Sequence, residues 1–181
     1  DRAAPHGMGD VKVGGNYASS FRATEPAHAQ GMDCLFLDAK YHRYIDECSA
    51  ANFIGIKRPT PTPSLKGREP QIEYLTPRSS AILPSITNDS LMTLARERGY
   101  KVTRRRIRLE ELADMSEAAA CGTACVVSPI DRVLDTERGV TYSFGSEPGP
   151  VLSELYHALR DIQFGRAEDK HNWCEIVTPS V

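Results

Sequence analysis

Lys12-Val13-Gly14-Gly15-Asn16-Tyr17 places an amine, two bare backbone residues and a phenol within six positions. A lysine attacks carbonyls once burial or a cationic neighbour lowers its pKa, and Schiff-base lysines are the usual product of that tuning. The same hexapeptide also fits a surface lysine ahead of a glycine turn, followed by a helix with Asn16 as its N-cap. The surrounding chain decides which setting applies.

Length and composition bound the answer. At 181 residues the chain suits one domain with an adequate core, or two small ones. Charges nearly balance, 22 basic against 24 acidic, so no broad field for nucleic acid or membrane exists. No apolar run approaches the roughly 20 residues of a spanning helix, and no segment resembles a secretory signal. Cys34, Cys48, Cys121, Cys125 and Cys174 form no CxxC pair. Without a His/Cys cluster they are expected to be free thiols in a reducing compartment, with neither a disulfide nor a metal site.

From Asn16 the pattern predicts a helix to about Ala29, ended or kinked at Pro26. Strand character follows at Cys34–Leu37, resumes at Tyr44-Ile45 after a polar turn, and returns at Asn52–Lys57. Arg58 to Glu69, rich in proline, predicts an irregular surface connection. Thr87 is the expected N-cap of a helix with Leu91, Leu94 and Ala95 on one face, stopped by Gly99. A strand is expected over 102–109. Its alternation separates Arg104, Arg106 and Arg108 from Thr103, Arg105, Ile107 and Leu109. With a net charge of −2, that arginine row reads as a solvated edge or an oligomer contact, not a nucleic-acid surface. A short helix over 110–117, a strand over 126–133 and an amphipathic helix from about Pro150 to Phe164, stopped by Gly165, complete the pattern. Strands and helices mixed without a regular βαβ rhythm or a repeat indicate an α+β (mixed α/β) domain.

Lys12-Val13-Gly14-Gly15-Asn16-Tyr17-Ala18 resembles the lysine segment of the branched-chain amino acid aminotransferases, a class IV family of pyridoxal-phosphate enzymes. Four later blocks resemble the same family in the same order. They are Tyr44-Ile45-Asp46-Glu47 with Asn52-Phe53, then Ile82-Leu83-Pro84-Ser85-Ile86-Thr87, then Gly122-Thr123-Ala124 with Val127-Ser128-Pro129, and Asp161-Ile162-Gln163-Phe164-Gly165 with Glu168-Asp169 and Trp173. Together they span about Asp1 to Trp173.

The resemblance implies the large domain of a fold-type IV aminotransferase, an irregular mixed sheet or pseudo-barrel with flanking helices. It implies transamination of leucine, isoleucine or valine with 2-oxoglutarate by a cytoplasmic or mitochondrial enzyme that is a homodimer at full length. Lys12 would hold pyridoxal 5'-phosphate as an imine, and Glu47 would keep the ring nitrogen protonated. Tyr17 would bond the ring's phenolic oxygen. Ile86, Thr87 and Thr123 would bind the phosphate, and the amides of Thr123 and Ala124 the substrate carboxylate. Asp46 adjoins Glu47, but in an extended segment only one of the two can face the ring.

The chain departs from the family in places. Ser85 stands where glycine is usual, and would be strained if that position needs a positive φ. Cys121 replaces a serine or threonine, Ala118-Ala119-Ala120 a bulkier stretch, and Cys48 to Ala51 the usual small-residue pattern. Only eleven residues precede Lys12, where the family carries an N-terminal domain, so residues 1–181 are expected to form the C-terminal, cofactor-binding part. Two other readings are a different class IV enzyme, such as a D-amino acid aminotransferase or an aminodeoxychorismate lyase, and a non-catalytic domain that keeps the fold.

Overall fold

Asn52–Lys57 carries five buried residues in succession, the pattern of a strand covered on both faces. In the computed structural model, which describes residues 2–58 and 71–177, the other elements gather around this strand. In chain order the elements are α1 (Gly15–Ala18), α2 (Phe21–His28), β1 (Leu35–Leu37), β2 (Ile45–Cys48), β3 (Asn52–Lys57), β4 (Glu73–Pro77), α3 (Ile86–Glu97), β5 (Lys101–Arg105), β6 (Glu117–Gly122), β7 (Val126–Pro129), β8 (Arg132–Asp135), β9 (Val140–Ser143) and α4 (Pro150–Gln163). A 3-10 helix, Leu109–Asp114, precedes β6.

Along one edge β3 pairs antiparallel with β6, from Asn52 opposite Cys121 to Ile56 opposite Glu117. Its other edge is shared. Asn52 meets Glu47 of β2, while Gly55 to Lys57 meet β4. β1 extends β2, and β7 extends β6. β4 and β5 run parallel, with α3 in the crossover that parallel neighbours require. β8 and β9 form a separate hairpin. The result is the irregular mixed sheet expected from the sequence.

Each face of the sheet has its own core. Ile54, Ile56, Ala119 and Cys121 pack under α3 and α4 through Leu91, Leu94, Leu152 and Leu155. Phe53, Leu75 and Ala118 face the other way, toward Ile107, Leu112, Met115 and Tyr142. Each large side chain so buried is worth roughly 1.5–3 kcal/mol. That sum outweighs the poor strand propensity of the three consecutive alanines in β6, a scale that spans only about 1 kcal/mol.

Several local expectations change. The helix expected over 16–29 is two, α1 and α2, and α2 passes through Pro26 before ending at His28. Gly14, not Asn16, is the N-cap of α1. Ser85, not Thr87, is the N-cap of α3, its Oγ accepting the Asn88 N–H at 3.1 Å. The strand expected over 102–109 ends at Arg105 because Ile107 and Leu109 turn into the second core. The alternation survives there, with Arg104, Arg106 and Arg108 exposed. The expected 126–133 strand breaks after Pro129 into β7 and β8. The helix expected over 110–117 is the 3-10 turn, and Glu117 opens β6. Apart from Arg58, the proline-rich connection lies outside the described residues. Among those described, no helix is long and apolar enough to cross a membrane.

Candidate functional site

β2 presents Asp46 and Glu47 in succession, and the pleat sends them to opposite faces. Asp46 hydrogen-bonds Ser79, and burial raises its carboxyl. Glu47 turns toward Arg2, Asn52 and Leu83. One of its oxygens, Oε1, is ion-paired with the Arg2 guanidinium. The other, Oε2, accepts from Asn52 Nδ2 and the Leu83 N–H, each at 3.4 Å. The Glu47 side chain is 6% exposed. Burial pushes its carboxyl up to about 7, and Arg2 and the Leu83 amide pull it only part of the way back. An acid so placed can hold or release a proton near neutral pH.

Beside Glu47 stands the N-terminus of α3. Ser85 satisfies the Asn88 amide through its hydroxyl and the Asp89 amide through its carbonyl. The Ile86 and Thr87 amides, which begin the helix, have no partner among the described residues. Unpaired first-turn amides and the helix dipole suit an anion. Ser85 sits at φ −121°, so the residue that replaces a family glycine is unstrained and supplies the cap itself. A buried network fixes this helix end. Tyr74 donates to Asn88 Oδ1 at 2.7 Å, Asn88 Nδ2 to Thr76 Oγ1 at 2.9 Å, and Thr76 to the Phe53 carbonyl at 3.1 Å.

The turn from β6 to β7 exposes Thr123, Ala124 and Cys125. It closes with Val127 N–H donating to the Cys125 carbonyl at 2.7 Å across Val126, whose φ is +60°. That value is unusual for a β-branched residue and marks local strain. Asn52 joins this turn to Glu47, since it lies opposite Glu47 on one side and Cys121 on the other. The Cys121 thiol also hydrogen-bonds Ser85, and burial raises that thiol to about 12. Glu47, the start of α3 and the Thr123 turn therefore border one edge of the sheet.

Lys12 lies on a fixed backbone. Asn16 Nδ2 donates to the carbonyls of Met8 at 2.7 Å and Val11 at 2.8 Å, and Asn16 N–H to the Val13 carbonyl at 3.2 Å. The Lys12 side chain is exposed and bonds to no described residue. A Cβ at Gly14 or Gly15 would meet no atom within 4 Å beyond its own chain neighbours and helix, so the space at these two glycines is open. Tyr17, on α1, is 40% exposed. No hydrogen bond or ion pair joins Lys12 or Tyr17 to Glu47, Thr87 or Thr123 among the described residues. The link is indirect, through Arg2, which bonds both Glu47 and the carbonyl of Gly9.

Sequence reasoning missed Arg2, the capping role of Ser85 and the bridging role of Asn52. An asparagine opening a buried strand signals a polar partner across the sheet. Arg2 had no local signal, because its partner is 45 positions away. A cavity of about 750 Å³ between α2, β1 and β8 contains none of the residues named for the site, so shape alone would have pointed elsewhere.

Comparison with known proteins identifies the family and the fold. The amino-transferase class IV family model matches residues 5–133. The chain is 43% identical to a branched-chain-amino-acid aminotransferase of Helicobacter pylori over 175 residues, covering 96% of this chain and 47% of that protein. It is 39% identical to the Haemophilus influenzae protein of the same name, covering 96% and 49%. Among solved structures, the branched-chain amino acid aminotransferase of Escherichia coli superposes with a TM-score of 0.76 at 29% identity, over 96% of this chain and 52% of that one. A Thermus thermophilus enzyme of the same name, complexed with N-(5'-phosphopyridoxyl)-L-glutamate, gives 0.74 at 28% identity, over 94% and 52%. The chain thus spans about half the length of the relatives it matches. It belongs to the class IV aminotransferase family.

Proposed function

We propose that the chain is the cofactor-binding part of a branched-chain amino acid aminotransferase that works with pyridoxal 5'-phosphate bound at Lys12. One observation carries the reading: a buried carboxyl poised near neutrality shares a sheet edge with partnerless helix amides and a hydroxyl-bearing turn. The residues fit the group. Lys12 offers an exposed amine, Ile86 and Thr87 offer two free amides, and Glu47 offers an acid fixed on both oxygens. When bound, the cofactor supplies an electron sink for charge at the substrate's Cα.

The chain's own side chains do the rest. Lys12 anchors the aldehyde and moves the proton at Cα, which requires the neutral amine. Glu47 holds the proton at the ring nitrogen, and the Tyr17 phenol bonds the ring oxygen. The Ile86 and Thr87 amides with the Thr87 and Thr123 hydroxyls bind phosphate, and the Thr123 and Ala124 amides orient the substrate carboxylate. The amino group would pass between leucine, isoleucine or valine and 2-oxoglutarate. The working enzyme in this reading is a homodimer in a reducing aqueous compartment, which suits five free cysteines.

The decisive experiment mixes the protein with pyridoxal 5'-phosphate, reduces with borohydride and maps the adduct by peptide mass. The expected label is on Lys12, and a label elsewhere would remove the assignment. L-leucine, D-alanine and aminodeoxychorismate assayed side by side then separate the branched-chain reading from its class IV alternatives.

A further inference from the structure

We propose that Arg2 is a positioning residue that favours the ionised form of Glu47 and holds the Lys12 segment in register against it. The inference rests on the role given to Glu47 above, but its test does not depend on cofactor binding.

The Arg2 side chain is 10% exposed and reaches three acceptors from separate parts of the chain. One is Glu47 Oε1 on β2. The others are the carbonyls of Gly9 and Ala81, both at 2.6 Å. The close approach needs glycine, since a Cβ on Gly9 would fall 2.4 Å from the Ala81 oxygen. Ser80 Oγ donates to the Pro5 carbonyl at 2.7 Å and ties the segment before Lys12 to the loop after β4, while within the segment Ser19 Oγ donates to the Arg2 carbonyl at 3.1 Å. All three contacts come from one guanidinium nitrogen, Nη2, while Nε is buried without a partner among the described residues.

The charge balance around Glu47 gives Arg2 its second task. Asp46 is the like charge beside it, Asn52 and the Leu83 amide are neutral donors, and Arg2 is the positive group acting on it. Burial already outweighs that pull. Without it, Glu47 would be neutral through the physiological range and would present a donor, not an acceptor, to a protonated ring nitrogen.

The test is carboxyl NMR on the cofactor-free chain labelled with ¹³C at the glutamate side-chain carboxyl, with Glu47 assigned from Glu47→Gln. Arg2→Met should move the Glu47 titration to higher pH by at least about tenfold in the ionisation equilibrium, and Arg2→Lys should restore much of it. Should Arg2→Met not fold, Arg2→Gln removes the charge while keeping a polar side chain, and the same upward move is expected. An unmoved Glu47 midpoint in either folded neutral variant overturns the proposal. With pyridoxal 5'-phosphate added, the pH at which the visible band of the bound cofactor changes should rise in parallel. Absence of cofactor binding would count against the proposed function alone, because the titration has already decided the role of Arg2.

Discussion

Glu117 caps a helix to which it does not belong. Its carboxylate accepts the amides of Val151 at 3.2 Å and Leu152 at 2.9 Å, in the first turn of α4, while Arg58 pairs at 2.9 Å with the oxygen that serves Val151. The helix has no side-chain cap of its own, because its N-cap is Gly149. That glycine is forced: a Cβ there would lie 2.0 Å from the Glu117 carboxyl carbon. Glu117→Ala would strand the two buried amides, costing about 3 kcal/mol. For a chain of this size that lowers Tm by roughly 6–12 °C. Gly149→Ala should cost a similar amount in the native background and little in Glu117→Ala, so a thermal double-mutant cycle reads the coupling directly. Additive losses would contradict the cap.

Stability should fall as pH rises from about 4.5 to 7. Glu47 has an ordinary carboxyl pKa of 4.5 when unfolded and about 7 when folded. Between those values the folded chain keeps a proton that the unfolded chain has lost. The decline amounts to about 3 kcal/mol and should vanish in Glu47→Gln. On the acid side the sign reverses. Glu111, hydrogen-bonded by the Arg105 fork at 2.9 and 2.6 Å, is held down at about 2. Its contribution is complete above 4.5 and is lost as pH falls toward 2. Chemical denaturation across pH, with and without Glu47→Gln, separates the two arms.

Much of this was legible in the sequence, for physical reasons that differ by element. β3 declared itself because a run of apolar residues bounded by turns has few other uses, and α4 because its apolar stripe ends at a glycine with φ +64°. β6 was invisible, since alanines carry no strand signal and its pairing comes from β3 and β7. The start of α3 was misplaced by two residues. Serine and threonine are both good caps, and only the extended backbone of Ser85 decides between them. In the site, the pleat rule put Asp46 and Glu47 on opposite faces and the family resemblance chose Glu47, whereas Arg2 depended on folding across 45 positions.

Asn88 offers a test of how the helix end is held. Asn88→Ala leaves the Tyr74 hydroxyl and Thr76 without their buried partner, which should cost about 2 kcal/mol. Ser85→Ala removes only the cap, at about 1 kcal/mol. If the Ile86 and Thr87 amides bind phosphate, both substitutions should weaken pyridoxal 5'-phosphate more than phosphate-free pyridoxal. Equal losses for the two ligands would move the phosphate away from this helix.

Lys12 should be the residue whose loss the fold does not notice. Its side chain is exposed and bonds to no described residue, and its backbone is held by Asn16 and by turn hydrogen bonds that a substitution preserves. Lys12→Ala should therefore keep the melting temperature within the equivalent of about 0.5 kcal/mol. It should abolish the borohydride-trapped adduct and lower transamination by at least about a hundredfold, the usual scale for a positioned acid–base group. The contrast with Glu117→Ala matters, because there stability falls while the attachment chemistry remains. A Lys12→Ala protein that melted early would place this lysine among the structural residues, and one that still trapped the cofactor would require another amine to hold it.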